Sequence, residues 1–359
     1  MLTQPDGIEV VATRTEAQEL SSPPLLVLES LTEYLDEQRL GSGPVAWQRI
    51  GEGQSNITYL LRRGDTQFVL RRGPRPPLPK STHDMKREAR IQSALAPEGI
   101  AVPSILALCE DEAVLGVPFY IMEFLDGEVV TDRVPDCFAG PEGPRIAVEA
   151  MVDSLAALHS VDVSCEPVSA LGRPEGYLER QVQRFSGLWG QTSKREVPQV
   201  DAIAHRLASA LPTTQRHSVV HGDFRMGNVM YEKSAPPRIQ AILDWEMATL
   251  GDPLADLGYL VATYADPSAE PTIMELTPVT RGSAFPTRDE VISRYADRTG
   301  LDVSPLKWYM SLALWKAAIF SEAIYTRWLN GERPDDPFAA NLDTGVLTLL
   351  DQAQQLIEE

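Results

Sequence analysis

Hydrophobic and polar positions divide the chain into a polar opening, a run of short β-type segments and a long tract of helical stripes. Residues 1–24 are mostly polar, close on Pro23-Pro24 and predict a loose lead-in. "LLVLESLTEYLDEQRL" then spaces Leu28, Leu31 and Leu35 as one helix face, and Gly41 and Gly43 end it. "ITYLL" and "QFVLR" flank Gly64-Asp65 and predict a hairpin, preceded by a turn at Gly51 and Gly53. "HDMKREARIQSALAP" reads as a helix stopped at Pro97, and "AVPSILALCEDEAVLGVPFYIMEFLDG" as two strands, the second being "PFYIMEF". After Gly127 the period changes. Ile146, Ala150, Met151, Leu155 and Leu158 share a stripe, and "LERQVQRFSGLW", "VDAIAHRLASAL" and residues 288–328 and 341–357 continue as helices. The pattern predicts an α+β chain: a lead-in over 1–24, a strand-rich N-lobe with one helix over 25–125, and a mainly helical C-lobe over 126–359.

Composition narrows this picture. A chain of 359 residues exceeds one ordinary core, which agrees with two lobes. Hydrophobic content of 43% and charged content of 23% are those of a globular protein. The net charge of −19, from 32 basic and 51 acidic side chains, opposes nucleic-acid binding and repels anionic membranes. It favours cationic small molecules, or serves solubility alone. Cys109, Cys137 and Cys165 form no CxxC, so neither a disulfide framework nor a zinc site is expected. "MLTQPDGIEV" lacks the pattern of a signal peptide, and "MSLALWKAAIFSEAIY" is broken by Lys316 and Glu322, so the expected location is cytoplasmic.

Candidate chemistry concentrates in "VVHGDFRMGNVMY", which has the form H-x-D-x-x-x-x-N. Sixteen residues after Asn228 comes Asp244, in "AILDWE". "NVMY" and "IQAIL" read as strands joined by "EKSAPPR"; a hairpin there brings Asn228 and Asp244 to one end, with Asp223 on the preceding loop. Such an oxygen set suits Mg²⁺, which takes few carboxylates and shares phosphate oxygens. It leaves one carboxylate to take a proton from a hydroxyl, and those are the parts that phosphoryl transfer needs. A P-loop, a dinucleotide-binding GxGxxG after a first strand and H-E-x-x-H are all absent.

"HGDFRMGN", "ILDWE" and "GDPLADLG" together resemble the aminoglycoside phosphotransferase-like kinases, which have a bilobal protein-kinase-like fold. The pattern is especially similar to the branch whose kinase-like domain precedes some acyl-CoA dehydrogenases. The resemblance spans roughly residues 25–330 and is strongest over 219–258. It implies Asp223 as the catalytic base, Asn228 and Asp244 as Mg²⁺ ligands, His221 as a structural loop residue and Asp256 as a brace from the next helix. ATP and Mg²⁺ are the implied cofactors.

A kinase also needs a cation on the third strand paired to a helix carboxylate. "FVLR" puts Arg71 there, with Arg72 as its competitor, and "HDMKREAR" supplies Glu88. In "GEGQSN", Ser55 and Asn56 either donate to a phosphate or close a turn. In "FYIMEFLDG", the backbone of Glu123, Phe124 and Leu125 fits an adenine-pairing hinge, and Met122 lies behind the base or in the core. Glu246 either faces the metal or caps a turn. Asp244 runs almost directly into "GDPLADLG", with no long activation segment, which favours a small hydroxylated acceptor over a peptide. Trp308, Tyr309, Trp315, Tyr325 and Trp328 are core or pocket residues; Glu322, Glu332, Asp335 and Asp336 either hold a cationic acceptor or cover a solvated face. Aminoglycosides and other hydroxylated metabolites, including hydroxyacyl thioesters, fit the acceptor role. A nucleotide-binding regulatory module without turnover is the alternative.

Overall fold

The computed structural model describes residues 8–51, 56–76, 83–332 and 336–358. It divides into two compact units, Met1–Asp126 and Gly127–Glu359.

The first unit is built on a five-stranded antiparallel sheet, in which β3 (Ala46–Ile50), β4 (Ile57–Arg63), β5 (Thr66–Arg72), β6 (Ile105–Cys109) and β7 (Phe119–Glu123) run in the order β3-β4-β5-β7-β6. One sheet face buries Tyr59, Leu61, Phe68, Leu70, Phe119 and Ile121 against Leu31, Tyr34 and Leu35 of α2 (Leu28–Glu37). The other face carries Tyr120 against Met85 and Ala89 of α3 (Met85–Leu95). A short α4 (Glu112–Leu115) separates β6 from β7.

The expected loose lead-in is corrected within its described part. β1 (Val10–Val11) pairs in parallel with β2 (Leu26–Val27), and α1 (Arg14–Gln18) lies between them. Thr13 and Glu16 close a capping box on α1, satisfying two helix-end amides that water would otherwise serve. Because Leu26 and Val27 are extended, the following helix starts at Leu28 rather than at Leu25.

The second unit is mainly helical. Its helices are α5 (Gly143–Leu158), α6 (Tyr177–Ser186), α7 (Trp189–Thr192), α8 (Pro198–Ser209), α9 (Leu254–Thr263), α10 (Arg288–Thr299), α11 (Leu306–Leu329) and α12 (Leu342–Glu358). Two small antiparallel sheets are inserted. β8 (Gly127–Val129), β10 (Val229–Glu232) and β11 (Ile239–Ile242) form one in the order β11-β10-β8; β9 (Ser218–Val220) and β12 (Thr249–Gly251) form the other. α11 is the central strut. Trp308 and Trp315 are buried on it, and their indole N–H groups donate to Leu207 O and Val200 O, both at 3.1 Å. No helix among the described residues is long and apolar enough to cross a membrane.

Candidate active site

In the first unit, strand parity decides between the two arginines. Residues 68, 70 and 72 of β5 point one way and residue 71 the other. Arg71 therefore shares a face with Tyr120 and meets α3, where its Nε donates to Glu88 Oε2 at 3.0 Å. Glu88 is buried and also accepts from Tyr120 OH at 3.1 Å and from Asn56 Nδ2 at 3.0 Å. Arg72 does not compete for this pairing. It is fully buried on the other face and donates to the carbonyls of Leu25, Leu115 and Gly73, while burial lowers its pKa to about 10. It ties Leu25, just past the lead-in, and Leu115 to the sheet.

Ser55 lies outside the described residues. Asn56 is 4% exposed, and its side-chain amide meets Glu88 and His83. The Glu123 amide donates to Ser104 O at 2.9 Å, so the hinge expectation is narrowed at that end. Its carboxylate accepts from the Ser104 amide and hydroxyl, both at 2.8 Å. Phe124 and Leu125 are half-buried, and Met122 packs beside Ile105 near α3.

In the second unit, β9 delivers the chain into the loop that carries His221, Asp223 and Asn228. His221 is fully buried. Its Nδ1 accepts from the Asp223 amide at 3.2 Å, so Nε2 carries the proton and donates to Leu243 O at 2.9 Å. One imidazole thus joins the residue two places on to the residue just before Asp244. Gly222 has φ +85°, and a β-carbon there would stand 2.9 Å from both Cβ and O of Met247. Glycine is required on both counts.

Asp256, near the start of α9, holds this loop by its backbone. Its Oδ2 accepts from the His221 amide at 2.6 Å and its Oδ1 from the Gly222 amide at 2.8 Å. His159 Nε2 lies 3.1 Å from Oδ2, and Tyr295 OH lies 2.6 Å from His159 Nδ1. Burial alone would raise the Asp256 pKa; the His159 hydrogen bond and charge, with the Gly222 amide, outweigh it and hold the carboxyl below its ordinary value. His159 and Tyr295 escaped the sequence reading. The signal was a single polar residue closing the apolar stripe of "LAALHSV".

Asn228 Nδ2 donates to both O and Oδ2 of Asp223 at 2.8 Å, so Oδ1 is the atom of this amide left to accept. Asp223 Oδ1 is buried and takes no hydrogen bond among the described residues. Arg225 Nε stands 3.6 Å from it, itself without a hydrogen-bond partner among them. Arg225 was also missed, although it lies only two places after Asp223. The Tyr259 hydroxyl on α9 also stands against the Asp223 carboxylate, outside strict hydrogen-bond geometry, and burial, then the Asp223 charge and this contact, push its pKa well up.

The β10–β11 hairpin closes with Leu243 N donating to Asn228 O at 2.8 Å, so Asn228 and Asp244 sit at one end of it. Asp244 has φ +64°, a left-handed backbone uncommon outside glycine and found at sites where the surroundings impose it. Glu246 is half-buried in the turn Trp245–Met247 that follows.

The profile of the phosphotransferase enzyme family matches residues 46–277, which take in both clusters. The chain belongs to the phosphotransferase enzyme family. Relatives include acyl-CoA dehydrogenase family member 10 of Mus musculus, 34% identical over 85% of this chain and 29% of that protein. Acyl-CoA dehydrogenase family member 11 of Rattus norvegicus is 31% identical over 86% of this chain and 40% of that protein. The chain therefore spans well under half the length of both relatives.

Among solved structures, a Ralstonia eutropha chain assigned to the aminoglycoside phosphotransferases matches with TM-score 0.77 and 27% identity, covering 92% of this chain and 98% of that one. A spectinomycin phosphotransferase solved with ADP and spectinomycin (TM-score 0.57, 13% identity, 91% and 98% covered) shares the fold. So does choline kinase of Cryptosporidium parvum (TM-score 0.62, 14% identity, 92% and 96% covered). As a member of this family, the chain has a bilobal protein-kinase-like fold and a kinase-like phosphotransferase domain.

Three of the acids expected near an acceptor, Glu322, Glu332 and Asp336, are engaged within the protein. Glu322 is fully buried and paired to Arg195, so it neither faces solvent nor waits for a cation. Glu332 pairs with Arg327 at 2.8 Å, and Asp336 accepts from the Phe338 and Ala339 amides. Asp335 lies outside the described residues. Tyr309 is core, donating to Asp252 at 2.9 Å, whereas Tyr325 and Trp328 are half-buried and stacked at 5.9 Å.

Proposed function

We propose that this chain transfers the γ-phosphoryl group of ATP, with Mg²⁺, to a hydroxyl group of a small molecule. The observation that carries the proposal is the asymmetry of Asp223. Asn228 donates to Oδ2, while Oδ1 is buried and, among the described residues, has Arg225 Nε at 3.6 Å and the Tyr259 hydroxyl near the carboxylate but no donor in hydrogen-bond geometry. A buried carboxylate oxygen without a donor is costly unless a ligand completes it. A hydroxyl donating to Oδ1 does so, and the same contact sets it up to lose its proton there.

The residues fit the implied metal. One carboxylate, Asp244, and one amide oxygen, that of Asn228, make a sparse, hard donor set of the kind Mg²⁺ uses when phosphates supply the rest. Among the described residues no cluster of three or more His, Cys, Asp or Glu could hold a metal by itself. When bound, Mg²⁺ supplies charge neutralisation on the phosphates.

The protein's own work is positional. Asp256 and His221 fix the loop, and Asp223 Oδ1 receives the acceptor's proton as its oxygen bonds to phosphorus and ADP leaves. Arg225 steadies the carboxylate, and Arg71, held by Glu88, grips phosphate. Such a base contributes about 10²–10⁴ in rate. The spectinomycin and choline enzymes on this fold show that the fold does not choose the acceptor. The kinship with acyl-CoA dehydrogenase family members favours including hydroxyacyl compounds beside aminoglycosides among candidates.

The test is phosphate transfer from γ-labelled ATP to a panel of aminoglycosides, hydroxylated metabolites and hydroxyacyl thioesters. Label should move to at least one hydroxyl, and chelation of Mg²⁺ should stop it. Transfer to none, or transfer indifferent to chelation, contradicts the proposal.

A further inference from the structure

The first unit holds a hydrogen-bonded chain that reaches Arg71 from a residue with no assigned part. His83 Nδ1 meets Asn56 Oδ1 at 2.9 Å, Asn56 Nδ2 donates to Glu88 Oε1 at 3.0 Å, and Arg71 Nε donates to Glu88 Oε2 at 3.0 Å. Tyr120 OH adds a third donor to the carboxylate at 3.1 Å, and Gln92 Nε2 backs Tyr120 at 3.3 Å. Asn56, Glu88, Gln92 and Tyr120 are all buried.

Donor rules fix the direction of this chain. The Glu88 carboxylate only accepts, so the Asn56 NH₂ must face it and the Asn56 oxygen must face His83. That oxygen also only accepts, so His83 Nδ1 must carry a proton. Burial pushes the His83 pKa below the usual histidine range, so the ring is neutral near pH 7 and holds the Nδ1–H form. His83 has φ +57°, which residues with a β-carbon rarely adopt, and it stands directly before Asp84, the cap of α3. A donor on the Asn56 oxygen polarises the amide and strengthens its grip on Glu88 Oε1. With both oxygens held, the long Glu88 side chain is confined to one rotamer, and Arg71 with it.

We propose that His83, acting through Asn56, is a positioning residue that fixes Glu88 and thereby the guanidinium of Arg71 on which phosphate gripping depends. This rests on the proposed nucleotide chemistry.

Three variants and one spectroscopic reading test it. His83→Gly keeps the left-handed backbone and removes the donor; His83→Asn keeps both, because Asn tolerates that conformation and its NH₂ replaces Nδ1–H. Calorimetry with a non-hydrolysable ATP analogue and Mg²⁺ should show His83→Gly weakening binding roughly three- to tenfold. His83→Asn should lie within about twofold of wild type. In an Arg71→Ala background, His83→Gly should add less than about a twofold change, since its effect runs through Arg71. Nitrogen-15 spectra of histidine-labelled wild type should show neutral His83 protonated at Nδ1.

Equal losses in both backgrounds, no rescue by Asn, or an Nε2–H tautomer overturn the positioning role. Wild-type chain that binds no nucleotide overturns the proposed function, and this role with it. Intact binding that ignores His83 overturns this role alone.

Discussion

The residues proposed to carry the chemistry are set apart by how they are held. Asp244 illustrates this, because its φ of +64° departs from where most side chains settle and the turn around it enforces the departure. Asn accepts the same backbone with little strain, so charge and conformation can be separated there. Asp244→Asn should change stability by no more than about 1 kcal/mol. It should weaken Mg²⁺ binding to the nucleotide-loaded chain by at least about tenfold. Thermal melts and metal titration check the two halves, and unchanged metal affinity would move the ligand elsewhere. Arg71 and Arg72 make the same point about side-chain direction. They are identical in kind and adjacent in sequence, yet one meets a carboxylate while the other is buried among backbone carbonyls.

Elements were legible where the pattern was long. The β10–β11 hairpin, α3 and the helices after Gly127 follow from alternation or stripe, and the hairpin's register sets Asn228 and Asp244 at one end. β1 and β2 were not legible, since two-residue strands fall below any usable period, although the Thr13–Glu16 capping box was in plain view. Site contacts that span distant segments were also hidden: His159, Tyr295 and His83 meet their partners across 97, 136 and 27 positions.

α9 acts on the loop as one element through Asp256. Its carboxyl pKa is lower folded than unfolded, so its stabilisation is complete above about pH 4 and fades as pH falls through the folded value. Asp256→Asn turns an acceptor into a donor facing two amides and should cost about 3 kcal/mol at pH 7. Below pH 4 its unfolding free energy, from urea titrations, should vary less steeply with pH than wild type's, by up to about 1.4 kcal/mol per pH unit. Parallel profiles would show that Asp256 titrates alike in both states.

At the scale of the molecule, the first unit's sheet holds a cation–carboxylate pair, and the second unit holds Asp223 and Asn228 on one loop with Asp244 at the same end of the β10–β11 hairpin. Net charge of −19 suited a cationic acceptor in the sequence reading, but Glu322 and Glu332 turn out to be paired within the protein. Overall acidity is therefore no guide to the acceptor, whose identity depends on side chains that bulk charge does not report.

The most direct single measurement is on Asp223→Asn, assayed side by side for nucleotide affinity and for phosphoryl transfer. Asn keeps the side chain's shape and removes the proton acceptor. Nucleotide affinity should stay within about threefold of wild type, and transfer should fall by at least about 10². Transfer that survives the substitution, or a wild-type chain that binds nucleotide and transfers nothing, would contradict Asp223 as the base of a working phosphotransferase.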